Sequence, residues 1–303
     1  MGRNSRNITQ QLNKRIDSLL RIGEKKIKDD ATNPNRVEGI HSIKTAETYR
    51  SVAHVFGEYL KSQGIRNIYD IRREHIEGFM HSRENLSAYT HSKDIAAINK
   101  ILDTRYTVRD FGFSNRSYKE ISNNRGIARC DTGQAARNSQ AIEFVRSCGM
   151  RRASIGQVKP SDFIRDEKGQ CIGVHLIEKG GRERYAVVLQ EYRERITQQV
   201  NQALEQNGDK PFIRVPDANA NPHWYRGEYA QHLYSDLLAA KESGQDYYCG
   251  MREKFINEDN FNKAISRYKD EIVRGYSRDV MAEISQNLGH NRIDVVMYHY
   301  LMK

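Results

Sequence analysis

The last twenty-five residues, Asp279–Lys303 (DVMAEISQNLGHNRIDVVMYHYLMK), carry a histidine and a tyrosine at a spacing that could do chemistry. Val280, Ile284 and Leu288 mark an amphipathic helix running into Gly289, a residue type that commonly supplies the left-handed turn after a helix. His290 follows at once. Ile293, Val296 and Tyr300 then recur at offsets that place them on one face of a second helix. The outline is an acid/base group at a helix corner, with a phenol about two turns downstream. Tyr298 competes for the role of nucleophile, but it points nearly opposite to Tyr300 on a helix and is assigned to core or surface.

Four further side chains complete the set. His223 and Arg226 sit three apart on a predicted helix, so they project from one face. Lys179 lies at the tip of a predicted hairpin, and Arg151 follows a glycine corner. Taken singly, each has an ordinary structural explanation; with 17 tyrosines in the chain, any one of them is first a packing residue. Together they suit phosphoryl transfer from DNA to a tyrosine hydroxyl. Such a reaction concentrates negative charge on the non-bridging oxygens of a trigonal-bipyramidal phosphorus. Two guanidiniums match those oxygens bidentately and stay charged at any working pH. They can supply the electrostatic stabilisation that a metal provides elsewhere, so neither metal nor cofactor is expected. A phenol of ordinary pKa ~10 needs its proton taken or its oxyanion stabilised, which histidine and nearby cations can do. The departing 5′-oxygen needs a proton, and a hairpin lysine can deliver one.

At these residues the chain resembles the tyrosine recombinase (phage integrase) family, in particular integrases of conjugative elements. GMRRASIGQVKPSDF (149–163) is similar to the family's first-arginine box and implies Arg151, with Arg152 one register away. EKGGRER (178–184) resembles its lysine hairpin and implies Lys179. HWYRGEYAQHLY (223–234) resembles its H-x-x-R box, implying His223 and Arg226, and NLGH (287–290) its LGH box, implying His290. Tyr300, ten residues beyond that histidine, takes the nucleophile's place. The resemblance spans residues 42–303. It implies a site-specific recombinase that cleaves and rejoins duplex DNA through a 3′-phosphotyrosyl link without metal or ATP. It also implies a homotetramer on DNA, leaves room for an accessory directionality factor, and suggests a mobile element of a bacterium or phage.

Departures from the family pattern set further expectations. Ser154 stands where an acidic residue usually supports the site, so that support must come from elsewhere. Arg226 and His290 are 64 positions apart, which implies an insertion near 241–275. Only three residues follow Tyr300, too few for a C-terminal helix exchanged between subunits unless the Tyr300 helix itself is exchanged. A type IB topoisomerase would share the chemistry. A catalytically idle DNA-binding relative is the non-enzyme alternative.

The elements that must position these groups read as mainly α with a small β-hairpin or sheet. Residues 1–41 read as a basic leader with one helix through Ile8, Leu12, Ile16, Leu19 and Leu20. Residues 42–106 read as a helical core-binding domain, with Thr45 as an N-cap and stripes through Tyr49–Leu60, Ile76–Met80 and Ile95–Leu102. Residues 107–131, rich in Gly, Ser, Asn and Arg, form a basic linker. Residues 132–303 form the catalytic domain. There Ala141, Phe144 and Val145 mark one helix, and a helical segment reaches Val158. Strands at 171–176 and 185–189 flank a basic tip; helices follow at 190–206 and from Pro222, capped by Asn221.

Charge follows the same division. Residues 1–130 carry 24 Lys/Arg against 15 Asp/Glu, and residues 131–303 carry 25 against 24. A basic N-terminal half suits a polyanion, and double-stranded DNA is the expected partner. Lys44, Arg50, Arg72, Arg73, Lys93, Arg109, Arg125, Arg182 and Arg184 are the candidate phosphate contacts, arranged as a clamp around the duplex. Mean hydropathy is −0.80, and no apolar run approaches the ~20 residues of a membrane span. Cys130, Cys148, Cys171 and Cys249 lack CxxC spacing, which argues against a zinc site or disulfide framework and for a reducing cytoplasm; the resemblance implies association with the nucleoid there.

Overall fold

A computed structural model of the chain describes residues 7–24, 39–117, 132–178 and 182–302, with the Arg182 side chain left aside. The chain divides into two compact units, residues 1–121 and 122–303.

The first unit is a helical bundle: α1 (Ile8–Ser18), α2 (Ile43–Ser62), α3 (Arg73–His81) and α4 (Ala88–Leu102). Asn7 and Gln10 form a reciprocal capping box that starts α1. The period of Ile8, Leu12 and Ile16 buries all three in the same core as Phe56, Phe79 and Ile98. The segment expected as a leader therefore contributes a helix to the bundle. Gly57 of α2 lets α1 come close, since a Cβ there would collide with Thr9. Ser42, not Thr45, occupies the N-cap of α2, and Thr45 lies inside the helix. Asp94 is fully buried in α4 and accepts from Arg83 Nε at 2.9 Å, as a buried carboxylate must be paired.

The second unit is built on a three-stranded antiparallel sheet in the order β1 (Phe163–Arg165), β2 (Cys171–Glu178), β3 (Arg182–Val187). Helices α5 (Ser139–Cys148), α6 (Arg152–Ile155) and α7 (Arg193–Asn207) lie on one side of the core. Helices α8 (Pro222–Ser243), α9 (Arg252–Phe255), α10 (Glu258–Ile265), α11 (Arg278–Asn287) and α12 (Ile293–Val296) complete it, with a short hairpin of β4 (Ile272–Val273) and β5 (Tyr276–Ser277). Alternate residues of the sheet serve two clusters. Val174, Leu176 and Ala186 pack with α5 and α7, whereas Ile172 and Val187 pack with α8 and α11. Covered on both faces, β2 reads as a nearly continuous apolar run. Both hairpin strands extend farther toward the tip than the sequence suggested, with Glu178 paired to Arg182. The segment expected to be helical as far as Val158 is only the four residues of α6.

The 241–275 stretch is woven into this core. Tyr247 and Tyr248 are buried, and their hydroxyls donate to Asp236 at 2.7 Å and Glu283 at 2.6 Å. The main axis of the unit is α8. Its N-cap Asn221 accepts from the Trp224 amide, and Pro222 takes the first turn. No helix among the described residues is long and apolar enough to cross a membrane.

Candidate active site

Three backbone corners converge on the N-terminal turns of α8. The first is Gly149, which ends α5 in the left-handed conformation and lies so close to the Tyr229 ring that a Cβ would sit 2.5 Å from Cδ1. The second is the end of α11, where the Leu288 and Asn287 carbonyls have left the helical ladder. The third is Gly289, at φ +66°, where a Cβ would come within 2.8 Å of Arg184 Cδ and 3.3 Å of Arg151 Nη1. Glycine is required there twice, for its backbone conformation and for the guanidiniums pressed against it.

These corners present carbonyl oxygens that orient a cluster of arginines. Arg226, only 2 % exposed, donates to the Gly149 and Leu288 carbonyls. Arg151, in the extended N-cap position of α6, donates to the Leu288 carbonyl at 3.0 Å and pairs with Glu178. Arg184 donates to the Gly149 carbonyl at 3.0 Å, to the Asn287 carbonyl, and to Glu178 at 2.7 Å. Each guanidinium has five N–H donors, so the two carbonyl bonds of Arg226 do not exhaust its capacity.

Beside this cluster stand the two histidines and the phenol. The turn after α11 is tied by the His290 amide to the Ser285 carbonyl and by the Ser285 hydroxyl to the Arg292 backbone. His290 Nε2 lies 3.4 Å from the Tyr300 hydroxyl. Burial first, and then Arg226, Arg151, Arg184 and His223, push the His290 pKa down to about 3. It is therefore a neutral imidazole at physiological pH, able to accept a hydrogen bond from the phenol. The His223 ring meets the Tyr300 ring edge-on, with centroids 5.5 Å apart. Tyr300 is 2 % exposed and sits in a π-helical turn, Met297–Leu301, that continues α12. Gln231 of α8 holds its carbonyl at 2.9 Å. Ile293 and Val296 are buried on the same side, as their spacing required. Tyr298 points elsewhere, with the Arg274 guanidinium 5.3 Å from its ring centroid.

The two arginines of the first box are separated by these contacts. Arg151 joins the cluster, while Arg152 donates to the carbonyls of Pro216, Asp217, Ala218 and Ala220 and anchors that loop. Ser154 is buried away from any carboxylate bond, and the carboxylate that reaches Arg151 comes instead from Glu178 at the end of β2. Sequence reasoning missed Glu178. Its only signal was an acidic residue ending an otherwise apolar strand. Lys179 lies outside the described residues.

The candidate phosphate contacts divide. In the first unit Lys44 is exposed and paired with Glu47, Arg50 bonds Asp17 on α1, Arg72 donates to the Tyr69 carbonyl, and Lys93 lies 4.0 Å from Asp94. Arg73 donates to the Asp110 carbonyl and lies within 6 Å of the Tyr106 and Phe111 ring centroids; Arg109 faces the Asn115 amide. Arg125 and the Arg182 side chain lie outside the described residues. Arg184, expected on the exposed hairpin, is corrected by its position: it is 6 % exposed and belongs to the interior cluster. Among the described residues no group of three or more His, Cys, Asp or Glu could hold a metal ion.

No family model matches the chain, and no curated protein does. Among solved structures it is similar to XerA recombinase, at 13 % identity and a TM-score of 0.33, covering 97 % of this chain and 94 % of that one. It is also similar to XerH site-specific recombinase bound to palindromic difH substrate in a post-cleavage complex, at 14 % identity and a TM-score of 0.46, covering 86 % and 94 %. A pre-cleavage complex of XerH with difH gives 12 % identity and a TM-score of 0.43, covering 96 % and 91 %. At such values the chemistry must be read from the side chains of this chain.

Proposed function

We propose that this protein is a site-specific DNA strand transferase of the tyrosine recombinase type, with Tyr300 as its nucleophile. The observation that carries the reading is the Tyr300 hydroxyl, 3.4 Å from a neutral His290 and beside the Arg151–Arg226 cluster, while Tyr298 faces Arg274. In this mechanism the Tyr300 oxygen attacks the scissile phosphorus and gives its proton to His290, whose basicity rises once the bound phosphate offsets the neighbouring guanidiniums. The bond to the 5′-oxygen breaks, leaving a 3′-phosphotyrosyl link, and that oxygen takes a proton from Lys179. Arg151 and Arg226 hold the non-bridging oxygens through guanidinium N–H groups, where preorganised donors are most effective. His223, edge-on to the phenol, limits its orientation and adds a donor or acceptor near the phosphate.

The covalent link conserves the phosphodiester's energy, so religation by an incoming 5′-hydroxyl needs no nucleotide. Exchange between two duplexes involves four strands. With one nucleophile per chain, it calls for four copies on double-stranded DNA.

The test is a suicide duplex, nicked so that the released fragment bearing the 5′-hydroxyl diffuses away, incubated in EDTA. Wild type and Tyr298→Phe should accumulate protein-linked DNA, and Tyr300→Phe should not. An adduct that survives Tyr300→Phe but disappears with Tyr298→Phe would refute the assignment. DNA binding without any adduct in wild type would leave a binding protein rather than an enzyme.

A further inference from the structure

We propose that Glu178 is the positioning residue of this site: its carboxylate sets the place of the Arg151 guanidinium through a shared bond with Arg184. The proposal rests on the strand-transfer reading for its chemistry but not for its geometry.

The three arginines of the cluster are not equivalent. Arg226 and Arg184 are buried and tied to backbone carbonyls that cannot move far. The Arg151 side chain is 37 % exposed, so its guanidinium is the most open of the three to an incoming phosphate. A long, half-exposed side chain loses much rotamer freedom when held in one place, so fixing it takes bonds strong enough to offset that loss. Glu178 supplies such a restraint, a charged one, beside the bond to the Leu288 carbonyl. Its side chain is 6 % exposed; one oxygen accepts from Arg184 Nε at 2.7 Å and the other meets Arg151 Nη1. An ionised carboxylate is acceptor-only with two oxygens, and here each oxygen serves one guanidinium.

Charge requires the same residue. Burial, and after it Arg226, lowers the proton affinity of Arg184 well below its ordinary value. A buried cation beside two others needs an anion in contact, and Glu178 is the carboxylate that bonds two members of the cluster. The cluster remains net positive with Glu178 present, so it still attracts a phosphate. Position adds a second consequence. Glu178 is the last residue of β2, pairs with Arg182 across the hairpin, and directly precedes Lys179 in the sequence. The carboxylate thus links Arg151, the most exposed of the three arginines, to the root of that hairpin.

The test compares two substrates. In a methylphosphonate one non-bridging oxygen is replaced by methyl, which removes the charge that a correctly placed guanidinium stabilises. Glu178→Gln should slow adduct formation on the phosphodiester roughly 100-fold, the scale of losing one preorganised donor. On the methylphosphonate the loss should stay within roughly tenfold, because the lost stabilisation is no longer needed. Glu178→Asp, which keeps the charge on a shorter arm, should recover part of the phosphodiester rate, and it is the variant compared if Glu178→Gln does not fold. Equal loss on both substrates would mean a merely structural carboxylate and overturns the proposal.

A second readout does not depend on activity. In ¹⁵N spectra of the full chain, the Arg151 and Arg184 Nε–H signals should shift in the Glu178 variant while that of Arg226 stays. If wild type forms no adduct on either substrate, the strand-transfer reading fails and these signals alone decide. An unmoved Arg151 signal then overturns the positioning role.

Discussion

His290 gives the sharpest prediction, because its burial among arginines sets a defined pH window for the folded state. Its pKa falls from 6.5 to about 3, with burial the larger cause and the surrounding cations the next. The sign follows from proton uptake. Between pH 6.5 and about 3 the unfolded chain binds a proton at this residue and the folded chain does not, so stability rises with pH across that window and is lost as pH falls through it. The full shift is worth about 5 kcal/mol, and the part between pH 7 and pH 5 about 2 kcal/mol. Urea unfolding of wild type and His290→Asn at the two pH values isolates the effect, since the other titrating groups are common to both proteins. Wild type should lose about 2 kcal/mol more than the variant on acidification. By NMR the imidazole should remain neutral down to pH 5 in the free protein. Its pKa should rise when an anionic phosphate analogue occupies the guanidinium cluster and offsets part of the repulsion. Equal losses in the two proteins, or a His290 titration near pH 6.5, would refute the placement of this ring among the arginines.

Two further outcomes test the architecture. Leu12→Ala should cost roughly 2–5 kcal/mol in the unfolding of the first unit, because Leu12 is wholly buried between helices; a cost near zero by urea melt would return α1 to the status of a detachable leader. Arg152→Ala should lower stability by roughly 2 kcal/mol through four orphaned carbonyls, while changing the phosphodiester and methylphosphonate cleavage rates by the same factor. A substrate-selective loss like that of Glu178→Gln would place Arg152, not its neighbour, on the phosphate.

Much of this molecule was determined along the chain. The Leu-Gly-His corner, the period that buries Ile293, Val296 and Tyr300 together, and the Asn221-Pro222 start of α8 are local, and local rules of backbone conformation and periodicity suffice for them. So is the mainly α character with one small antiparallel sheet. What the chain alone left open depended on contacts between segments far apart in sequence. Arg151 and Arg152 are adjacent and chemically identical, and only the carbonyls of Leu288 on one side and Pro216–Ala220 on the other tell them apart. Arg184 read as a surface cation because basic hairpins usually face solvent; its burial is decided by Gly149, Asn287 and Glu178 closing over it. Glu178 itself was invisible for the same reason. A carboxylate has no periodic signature, and its value comes from the two guanidiniums that the fold brings to it.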